Sequence, residues 1–301
     1  MKTLDILKDV LKECKCEVMQ NEPMSKHTSF KIGGCAEVFI VPHDIDSLKK
    51  IVLCCKKNNI RTTVIGNGTN LLVSDSGIKG AVIKIGKGFD EIYLDSEQNI
   101  ICGAGVSLSK LCAFALENEL SGLEFAWGIP GNAGGAAFMN AGAYGGEMSN
   151  VLESVSHIDE LGDEGSFSQN QLDLSYRHSV YTGKNFIITS LRLKLKKAVK
   201  SDIKEKMDDF MQRRQDKQPL DMPSAGSVFK RPEGHFAGEL IDSCNLKGYQ
   251  IGGAQVSGKH SGFIVNAGSA TCNDVTDLIR HIKEAVHKKH GIMLECEIKR
   301  I

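Results

Sequence analysis

The stretch from Gly128 to Glu147, GIPGNAGGAAFMNAGAYGGE, constrains the fold more than any other part of this sequence. It holds seven glycines, five alanines and a single charged residue, which comes at its end. Each glycine in an ordered segment costs up to about 1 kcal/mol of backbone entropy relative to alanine, so an ordinary core has no use for so many. A long flat ligand lying against the main chain would justify that cost. We therefore predict a cofactor site where Gly131, Gly134 and Gly135 leave the backbone bare and where Asn132 and Asn140 offer side-chain amides.

A second glycine cluster, VIGNGTNLLVSD, has the pattern of a strand that ends in a tight turn. Its donors would be the main-chain amides of Gly66, Asn67 and Gly68, the hydroxyl of Thr69 and the amide of Asn70. Such a nest of N–H groups suits a pyrophosphate. A glycine hairpin capped by asparagine and threonine is the alternative interpretation. Two glycine clusters separated by a helix favour a ligand with two ends, such as a dinucleotide.

A nicotinamide-binding Rossmann fold is excluded at both places where GxG occurs. The segments GNGTNL and GAGVSL each carry leucine where the fingerprint requires its third glycine. Neither segment opens a long alternating series of strands and helices. A dinucleotide would therefore be held in another way.

Bulk composition limits the classes of partner and leaves room for several domains. The 301 residues are enough for two or three domains, since single cores stop growing before that length. Lysine plus arginine and aspartate plus glutamate both number 37, so no broad basic field exists to bind nucleic acid or an anionic membrane. The charged amino terminus lacks the apolar core of a signal peptide. We expect a cytoplasmic protein.

The ten cysteines are scattered and form no CxxC pair. This pattern indicates reduced thiols that act as small hydrophobic residues, and it predicts no metal site.

Periodicity predicts a chain of mixed helices and strands. Helices are predicted at 4–15, from Asp44 or Asp46 through Cys55, and at 107–117, 203–213, 237–244 and 274–290, the last capped by Asn273 and closed by Gly291. Strands are predicted at 37–41, 62–66, 81–85, 99–102, 152–159, 186–195, near 255, at 263–265 and in LECEIK. The charged run 196–206 is predicted to be a solvated junction. The fold class is therefore α+β.

Seven segments occur in order along nearly the whole chain. They are HTSFKIGGCAEVF, VIGNGTNLLVSD, GIPGNAGGAAFMNAGAYGGE, YRHS, PSAGSVFKRP, HSGFIVN and LECEIK. Together they resemble the UDP-N-acetylenolpyruvoylglucosamine reductase family. The resemblance implies a two-part FAD-binding region of the vanillyl-alcohol-oxidase type, here residues 1–75 with the N-terminal helix and 76–198, and a smaller α+β substrate domain at 199–301 that closes over the substrate.

The resemblance also implies a noncovalent FAD site in the two glycine clusters. The residues it selects are Ile65, Gly66, Asn67, Gly68, Thr69, Asn70, Gly128, Ile129, Pro130, Gly131, Gly134 and Gly135. In the family, NADPH reduces the flavin, which then reduces the enolpyruvyl ether of UDP-N-acetylglucosamine to UDP-N-acetylmuramate, a peptidoglycan precursor. The short interval between YRHS and SAGSVF resembles the subtype without an additional tyrosine-bearing loop.

Three residues match the family's catalytic positions. Arg177 would bind the substrate carboxylate and Ser227 would donate a proton. Strand alternation cannot choose between Glu295 and Glu297, but the resemblance selects Glu297 to stabilise the enol intermediate.

Other residues match the family's substrate contacts, and two other functions stay open. Lys217 and Lys230 match positions near the substrate's diphosphate, and Tyr176 is predicted to line the same cleft. The alternatives are a flavin oxidase of the same fold and a noncatalytic flavin carrier, which would need the glycine clusters without the catalytic residues.

Overall fold

The computed structural model describes residues 2–301, which contain seven α-helices and nineteen strands. The helices are α1 (Thr3–Lys12), α2 (Ile45–Lys57), α3 (Leu108–Glu117), α4 (Ala133–Phe138), α5 (Lys200–Lys217), α6 (Ala237–Ser243) and α7 (Cys272–His290). The strands are β1 (Cys16–Pro23), β2 (Cys35–Pro42), β3 (Thr62–Ile65), β4 (Leu71–Leu72), β5 (Ile78–Lys84), β6 (Ile92–Leu94), β7 (Ile100–Gly103), β8 (Leu120–Ser121), β9 (Gly142–Ala143), β10 (Gly146–Glu147), β11 (Leu152–Ile158), β12 (Glu164–Ser168), β13 (Ile187–Leu193), β14 (Lys196–Lys197), β15 (Ser224–Ser227), β16 (Gln250–Ile251), β17 (Ala254–Val256), β18 (Phe263–Asn266) and β19 (Lys299–Arg300). Across this described range, no helix combines the length and the apolar character needed to cross a lipid bilayer.

The chain divides into two compact units, each with its own hydrophobic core. Unit 1 comprises residues 1–20, 37–67 and 79–213, and unit 2 comprises residues 21–36, 68–78 and 214–301. These boundaries differ from the predicted ones because segments 21–36 and 68–78 pack with the carboxy-terminal residues, whereas the first part of α5 buries Ile203 and Met207 in the core of unit 1. The division of residues 1–198 into two FAD-binding parts stays a prediction.

Unit 1 is built around two sheets. One has the strand order β1-β2-β5-β3, in which β3 and β5 are parallel, and the other has the order β12-β11-β13-β7-β6 and is antiparallel throughout. The predicted strand, helix, strand unit is confirmed as β2, α2 and β3. Asp44, one of the two predicted caps of α2, accepts a hydrogen bond from the amide of Ser47. The predicted inward face of α3 is buried as well.

Unit 2 contains an antiparallel sheet of order β15-β18-β17-β16 and a parallel pair, β4 with β19. Helices α6 and α7 bury their apolar stripes in the core of this unit. Asp75 accepts hydrogen bonds from the amides of Cys272 and Asn273, at 2.8 and 3.0 Å. This carboxylate therefore ties segment 68–78 to the start of α7, where the helix dipole favours negative charge.

Three sequence predictions of local structure are wrong in detail. Helix α5 begins at Lys200 and not at 203, because lysine and glutamate are good helix formers and two buried side chains four residues apart suffice to anchor the turn. The cap of α7 is Thr271, whose hydroxyl accepts from the amide of Asp274, and Asn273 lies inside the first turn. LECEIK is extended but forms a strand only from Lys299, with one isolated bridge between Cys296 and Phe229.

His157 lies buried in unit 1, and its ring packs against the rings of both Phe167 and Phe186, at centroid distances of 4.6 and 4.7 Å. Its Nδ1 lies 3.1 Å from the hydroxyl oxygen of Tyr181. Burial disfavours the charged imidazolium and lowers the pKa of His157 below its usual 6.5.

This buried histidine predicts a loss of stability in acid. The unfolded chain takes up the proton near pH 6.5 and the folded chain only at lower pH, so the free energy of unfolding should fall as the pH drops below about 6.5. One histidine contributes at most about 1.4 kcal/mol per pH unit. Denaturant unfolding of the parent protein and of His157→Gln between pH 7 and pH 5 measures this, and the variant should show the shallower slope. Equal slopes would contradict the assignment.

Candidate functional site

Gly66 of the first glycine cluster and the whole of the second cluster lie in unit 1. The first cluster follows β3, and the second forms the start of α4, whose N-cap is Asn132. A Cβ atom added to Gly66 would lie 3.6 Å from Nδ2 of Asn132. The amides of Ala133 and Gly134 donate to the carbonyls of Val106 and Ala104, which hold the helix start in place. Gly66 and the start of α4 are therefore close together in unit 1, as the predicted binding of one ligand by these two segments requires.

Six of the seven glycines in the stretch 128–147 are explained by the chain itself. Three have a positive φ, namely Gly128, Gly131 and Gly145, and three pack too closely for a side chain, namely Gly134, Gly142 and Gly146. A Cβ atom on Gly134, for example, would lie 2.7 Å from Cβ of Ala104. Gly135 is the exception, because it is exposed, has no positive φ, and a Cβ atom added to it would meet no other atom within 4 Å. The bare surface inferred from the sequence is therefore concentrated at Gly135.

Two polar groups beside this surface fit a flavin nucleotide. Asn132 is 5% exposed and donates from Nδ2 to the carbonyl of Ile85 at 3.3 Å, whereas its Oδ1 has no hydrogen-bond partner among the described residues. The amide of Gly135 likewise has no backbone partner there, since it lies in the first turn of α4. A buried acceptor suits a flavin hydroxyl or N–H, and a first-turn amide suits a phosphate oxygen.

Sequence reasoning noted the amide of Asn132 but did not select it as a site residue. The feature of the sequence that could have identified it is its place directly before the Ala-Gly-Gly segment that begins α4, where an asparagine commonly caps a helix.

The turn after β3 has one glycine that the fold demands. Gly68 has φ +63°, and a Cβ atom there would lie 2.1 Å from the carbonyl oxygen of His27. The Gly68 carbonyl in turn accepts from the amide of Ser29 at 3.3 Å. Gly66 meets neither constraint, so its missing side chain, like that of Gly135, is left to be explained by a ligand.

The remaining predicted cofactor residues differ in their exposure. Ile65 is buried, so its main chain is the part that can face a ligand, and Ile129 packs against the core of unit 1. Pro130 and Asn67 are exposed, and Thr69 is half-buried. These five residues stay predictions.

Arg177 occupies the tip of a tight hairpin in unit 1. Ser175 and His178 exchange main-chain hydrogen bonds of 3.2 and 3.1 Å, which leaves Tyr176 and Arg177 as the two turn residues. Arg177 has φ +56°, a conformation that arginine adopts rarely and that often marks functional sites. Its guanidinium lies over the Tyr176 ring, 4.9 Å from the centroid. The two predicted substrate residues on this hairpin are therefore one stacked pair.

Two buried polar residues hold this hairpin. Asn140 donates from Nδ2 to the carbonyl of Ser175 at 3.1 Å and accepts from the amide of Ser149 at 2.9 Å. Ser179 donates to the carbonyl of Phe138 at 2.7 Å. Asn140 was offered by sequence reasoning as a ligand-binding amide, but both ends of its side chain serve the fold.

Ser227 and Glu297 are brought together in unit 2 by main-chain pairing. Ser227 ends β15 opposite Phe263. The amide of Glu297 donates to the carbonyl of Val228 at 2.7 Å, and the amide of Lys230 donates to the carbonyl of Glu295 at 2.9 Å. Glu297 therefore lies across from the residue that follows Ser227.

The serine hydroxyl has a defined environment. Ser227 Oγ donates to the carbonyl of Phe229 at 3.2 Å. A Cβ atom on Gly262 would lie 3.6 Å from this Oγ and 3.0 Å from Cε1 of His260, whose Nδ1 accepts from the amide of Gly262. Burial lowers the pKa of His260, and the charges of Lys247 and Lys217 lower it further. His260 is a neighbour of the serine that sequence reasoning did not select, although it opens the HSGFIVN segment.

The two predicted lysines of unit 2 lie in different settings. Lys230 forms an ion pair with Glu295, with Nζ 3.2 Å from Oε2, so Glu295 has a partner of its own. Lys217 ends α5, and its charge acts on His260 beside Ser227.

No alternative chemistry emerges from the cysteines or from clustered ligands. Burial raises the pKa of Cys102 and Cys112 to about 12, so these thiols resist forming the reactive thiolate. Within residues 2–301, no three His, Cys, Asp or Glu side chains are grouped so as to hold a metal ion.

Comparison with known families supports the division of roles along the chain. Residues 36–164 match a family model described as an FAD binding domain. Residues 218–301 match a family model described as the C-terminal domain of UDP-N-acetylenolpyruvoylglucosamine reductase.

Similar proteins cover nearly the whole chain. A UDP-N-acetylenolpyruvoylglucosamine reductase from Caldanaerobacter subterraneus subsp. tengcongensis is 48% identical over 296 residues, which span 98% of this chain and 97% of the relative. One from Agathobacter rectalis is 48% identical and covers 94% of each chain. The crystal structure of UDP-N-acetylenolpyruvylglucosamine reductase from Thermus caldophilus is 35% identical, with a TM-score of 0.81 over 95% of this chain and 99% of that one. These likenesses confirm the predicted α+β fold with an FAD-binding region ahead of a smaller carboxy-terminal domain.

Proposed function

The chain belongs to the UDP-N-acetylenolpyruvoylglucosamine reductase family, and we propose that Arg177, Ser227 and Glu297 are the catalytic residues of its reaction. The reaction is the FAD-dependent reduction of UDP-N-acetylenolpyruvoylglucosamine to UDP-N-acetylmuramate, a step of peptidoglycan precursor synthesis. The observation that supports the proposal is the main-chain hydrogen bond from the amide of Glu297 to the carbonyl of Val228, the residue that follows Ser227.

Arg177 is proposed to hold the substrate carboxylate. FAD, when bound and reduced by NADPH, supplies the hydride that adds to the terminal carbon of the enolpyruvyl group. Negative charge then develops on the carboxylate, and a fixed cation stabilises that charge more in the transition state than in the ground state. Two buried side chains, Asn140 and Ser179, hold the main chain of the hairpin that carries Arg177, which supports a fixed position for this residue.

Ser227 is proposed to deliver the proton that completes the reduction. A hydroxyl is a weak acid, but the enolate carbon next to the carboxylate is a strong base and accepts a proton from a hydroxyl within hydrogen-bonding reach. The Oγ of Ser227 now donates to the carbonyl of Phe229 and must turn from it to do so.

Glu297 is proposed to orient or stabilise the enol intermediate. Its main chain is held on both sides by hydrogen bonds, at its amide by Val228 and at its carbonyl by Asn70. A main chain fixed at both groups supports a defined position for the side chain it carries, and electrostatic catalysis requires groups that are positioned before charge develops on the substrate.

The substrate diphosphate is proposed to contact Lys217 and Lys230, and Tyr176 is proposed as a further substrate-binding residue. A diphosphate competes with Glu295 for Lys230, since both present oxygen acceptors to the same ammonium group. NADPH is proposed as the co-substrate that reduces the flavin. We place the reaction in the cytoplasm, where nucleotide sugars and NADPH are produced.

The direct test is an assay of substrate-dependent NADPH oxidation. Purified protein should be yellow, and NADPH consumption should rise at least about 100-fold when the enolpyruvyl sugar nucleotide is added, because reduced flavin then has its acceptor. UDP-N-acetylglucosamine, which lacks the enolpyruvyl group, is the matched control and should give no rise. NADPH consumption at the same rate with oxygen alone would instead identify a flavin oxidase.

A further inference from the structure

We propose that Asn70 is a positioning residue for Glu297, which adds to the glycine loop a role in the chemistry at the substrate. The inference rests on the proposed function, because it takes Glu297 as a catalytic residue. Asn70 lies at the end of the loop predicted to hold a phosphate, so a role in cofactor binding is the obvious one. Its contacts within unit 2 are instead with the main chain around Glu297.

Asn70 makes two hydrogen bonds to the main chain, one at Glu297 and one at Lys299, two residues further along. Its side-chain Nδ2 donates to the carbonyl of Glu297 at 3.2 Å, and its own carbonyl accepts from the amide of Lys299 at 2.9 Å. The amide of Glu297 is held from the other direction by Val228. Asn70 therefore makes two of these three hydrogen bonds, those at the carbonyl of Glu297 and at the amide of Lys299.

The strand pairing beyond Asn70 keeps this arrangement in register. Leu71 pairs with Lys299 and Leu72 with Arg300 in parallel, and Ile301 donates to the carbonyl of Leu72 at 3.0 Å. Only two residues pair on each side, so the ladder is short. Because the ladder is short, the hydrogen bond from Asn70 at its start contributes more to the position of Glu297 than it would beside a long ladder.

Loss of the Asn70 side chain would release the carbonyl of Glu297 and let the carboxyl group drift. A displacement of about 1 Å of a catalytic group can cost about 100-fold in rate. The loss should fall on the transfer of electrons to the substrate, where Glu297 acts, and not on the reduction of flavin by NADPH. This selectivity separates a positioning role from a role in holding the cofactor, which would impair both steps.

The experiment is a double-mutant cycle on the two half-reactions. Asn70→Ala, Glu297→Gln and the double variant are saturated with FAD, and flavin absorbance is followed by stopped flow during reduction by NADPH and during reoxidation by the enolpyruvyl substrate. Asn70→Ala should slow reoxidation about 10- to 100-fold and change reduction by less than about 3-fold. In the Glu297→Gln background, removing Asn70 should change reoxidation by less than about 3-fold, because residues that act as one are not additive.

Each outcome decides the matter. If Glu297→Gln leaves reoxidation unchanged, the assignment of Glu297 fails and the role of Asn70 fails with it. If Glu297→Gln slows reoxidation but Asn70→Ala does not, or if the two effects multiply, only the positioning role is overturned. Equal impairment of both half-reactions by Asn70→Ala, even with saturating FAD, overturns it as well, since Asn70 then serves the cofactor.

Two further variants serve as a control and as a replacement for Asn70→Ala. Asn118 also donates from Nδ2 to a main-chain carbonyl, that of Phe114, at 2.8 Å, so Asn118→Ala reports the effect of losing such a bond in general. It should change neither half-reaction by more than about 3-fold. If Asn70→Ala does not accumulate as folded protein, Asn70→Ser makes the same comparison with a side chain that turns accept but that is too short to reach Glu297.

Discussion

Ser227→Ala should bind FAD and be reduced by NADPH as the parent protein is, yet return its electrons to the enolpyruvyl substrate about 10²- to 10⁴-fold more slowly. The reason is that a positioned proton donor contributes about this factor to a rate. The Ser227 side chain is half-buried, and its hydroxyl donates one hydrogen bond, to the carbonyl of Phe229. Removal of this hydroxyl should therefore leave the fold intact. Stopped-flow measurement of each half-reaction gives both rates directly.

Two variants make this expectation specific to the proton. Ser224→Ala changes a serine at the other end of β15. The hydroxyl of Ser29 donates to the main-chain carbonyl of Ser224, which the substitution keeps, so this variant should retain turnover within about 3-fold. Ser227→Cys keeps an acidic hydrogen in the same place and should recover part of the lost rate. Parent-like reoxidation in Ser227→Ala would remove this residue from the mechanism, whatever the behaviour of the other two.

Gly135→Val should weaken FAD binding about 10- to 100-fold while leaving the protein folded. A side chain here meets no atom of the protein within 4 Å of its Cβ, and the position is helical, where replacing glycine usually favours the helix. A flavin lying against this backbone would, however, be displaced, and steric overpacking costs about 1 to 3 kcal/mol. Fluorescence titration of the apoprotein with FAD measures the affinity, and thermal unfolding of the apoprotein measures the stability.

Substitution of the neighbouring Gly134 should instead affect the stability of the protein. A Cβ atom on Gly134 would lie 2.7 Å from that of Ala104, so Gly134→Ala should lower the stability of the apoprotein by about 1 to 3 kcal/mol. Gly258→Val, at another glycine with open surroundings and no positive φ, controls for the introduction of valine and should leave FAD affinity unchanged. Unchanged affinity in Gly135→Val would show that the flavin does not lie against this glycine.

Much of the local structure was predictable because it depends on residues close in sequence. The apolar stripes of α1, α2 and α3 repeat at helical spacing, so their positions and inward faces could be inferred directly. The strand prediction for LECEIK was wrong because pairing depends on the neighbouring elements. LECEIK alternates like a strand, but its partners are a short segment after β15 and the end of the glycine loop, and neither is long enough to build a ladder.

The sequence by itself determined the fold class, the family and the segments that carry the site, because seven ordered motifs and local periodicity are properties of the chain as written. Only the tertiary structure decided what individual residues in those segments do. It separated Gly135 from Gly134, and it joined Asn70 to Glu297 across 227 positions of sequence. The physical reason is that close packing and hydrogen bonding depend on atoms brought together by folding, and no local pattern records which distant residue will be the neighbour.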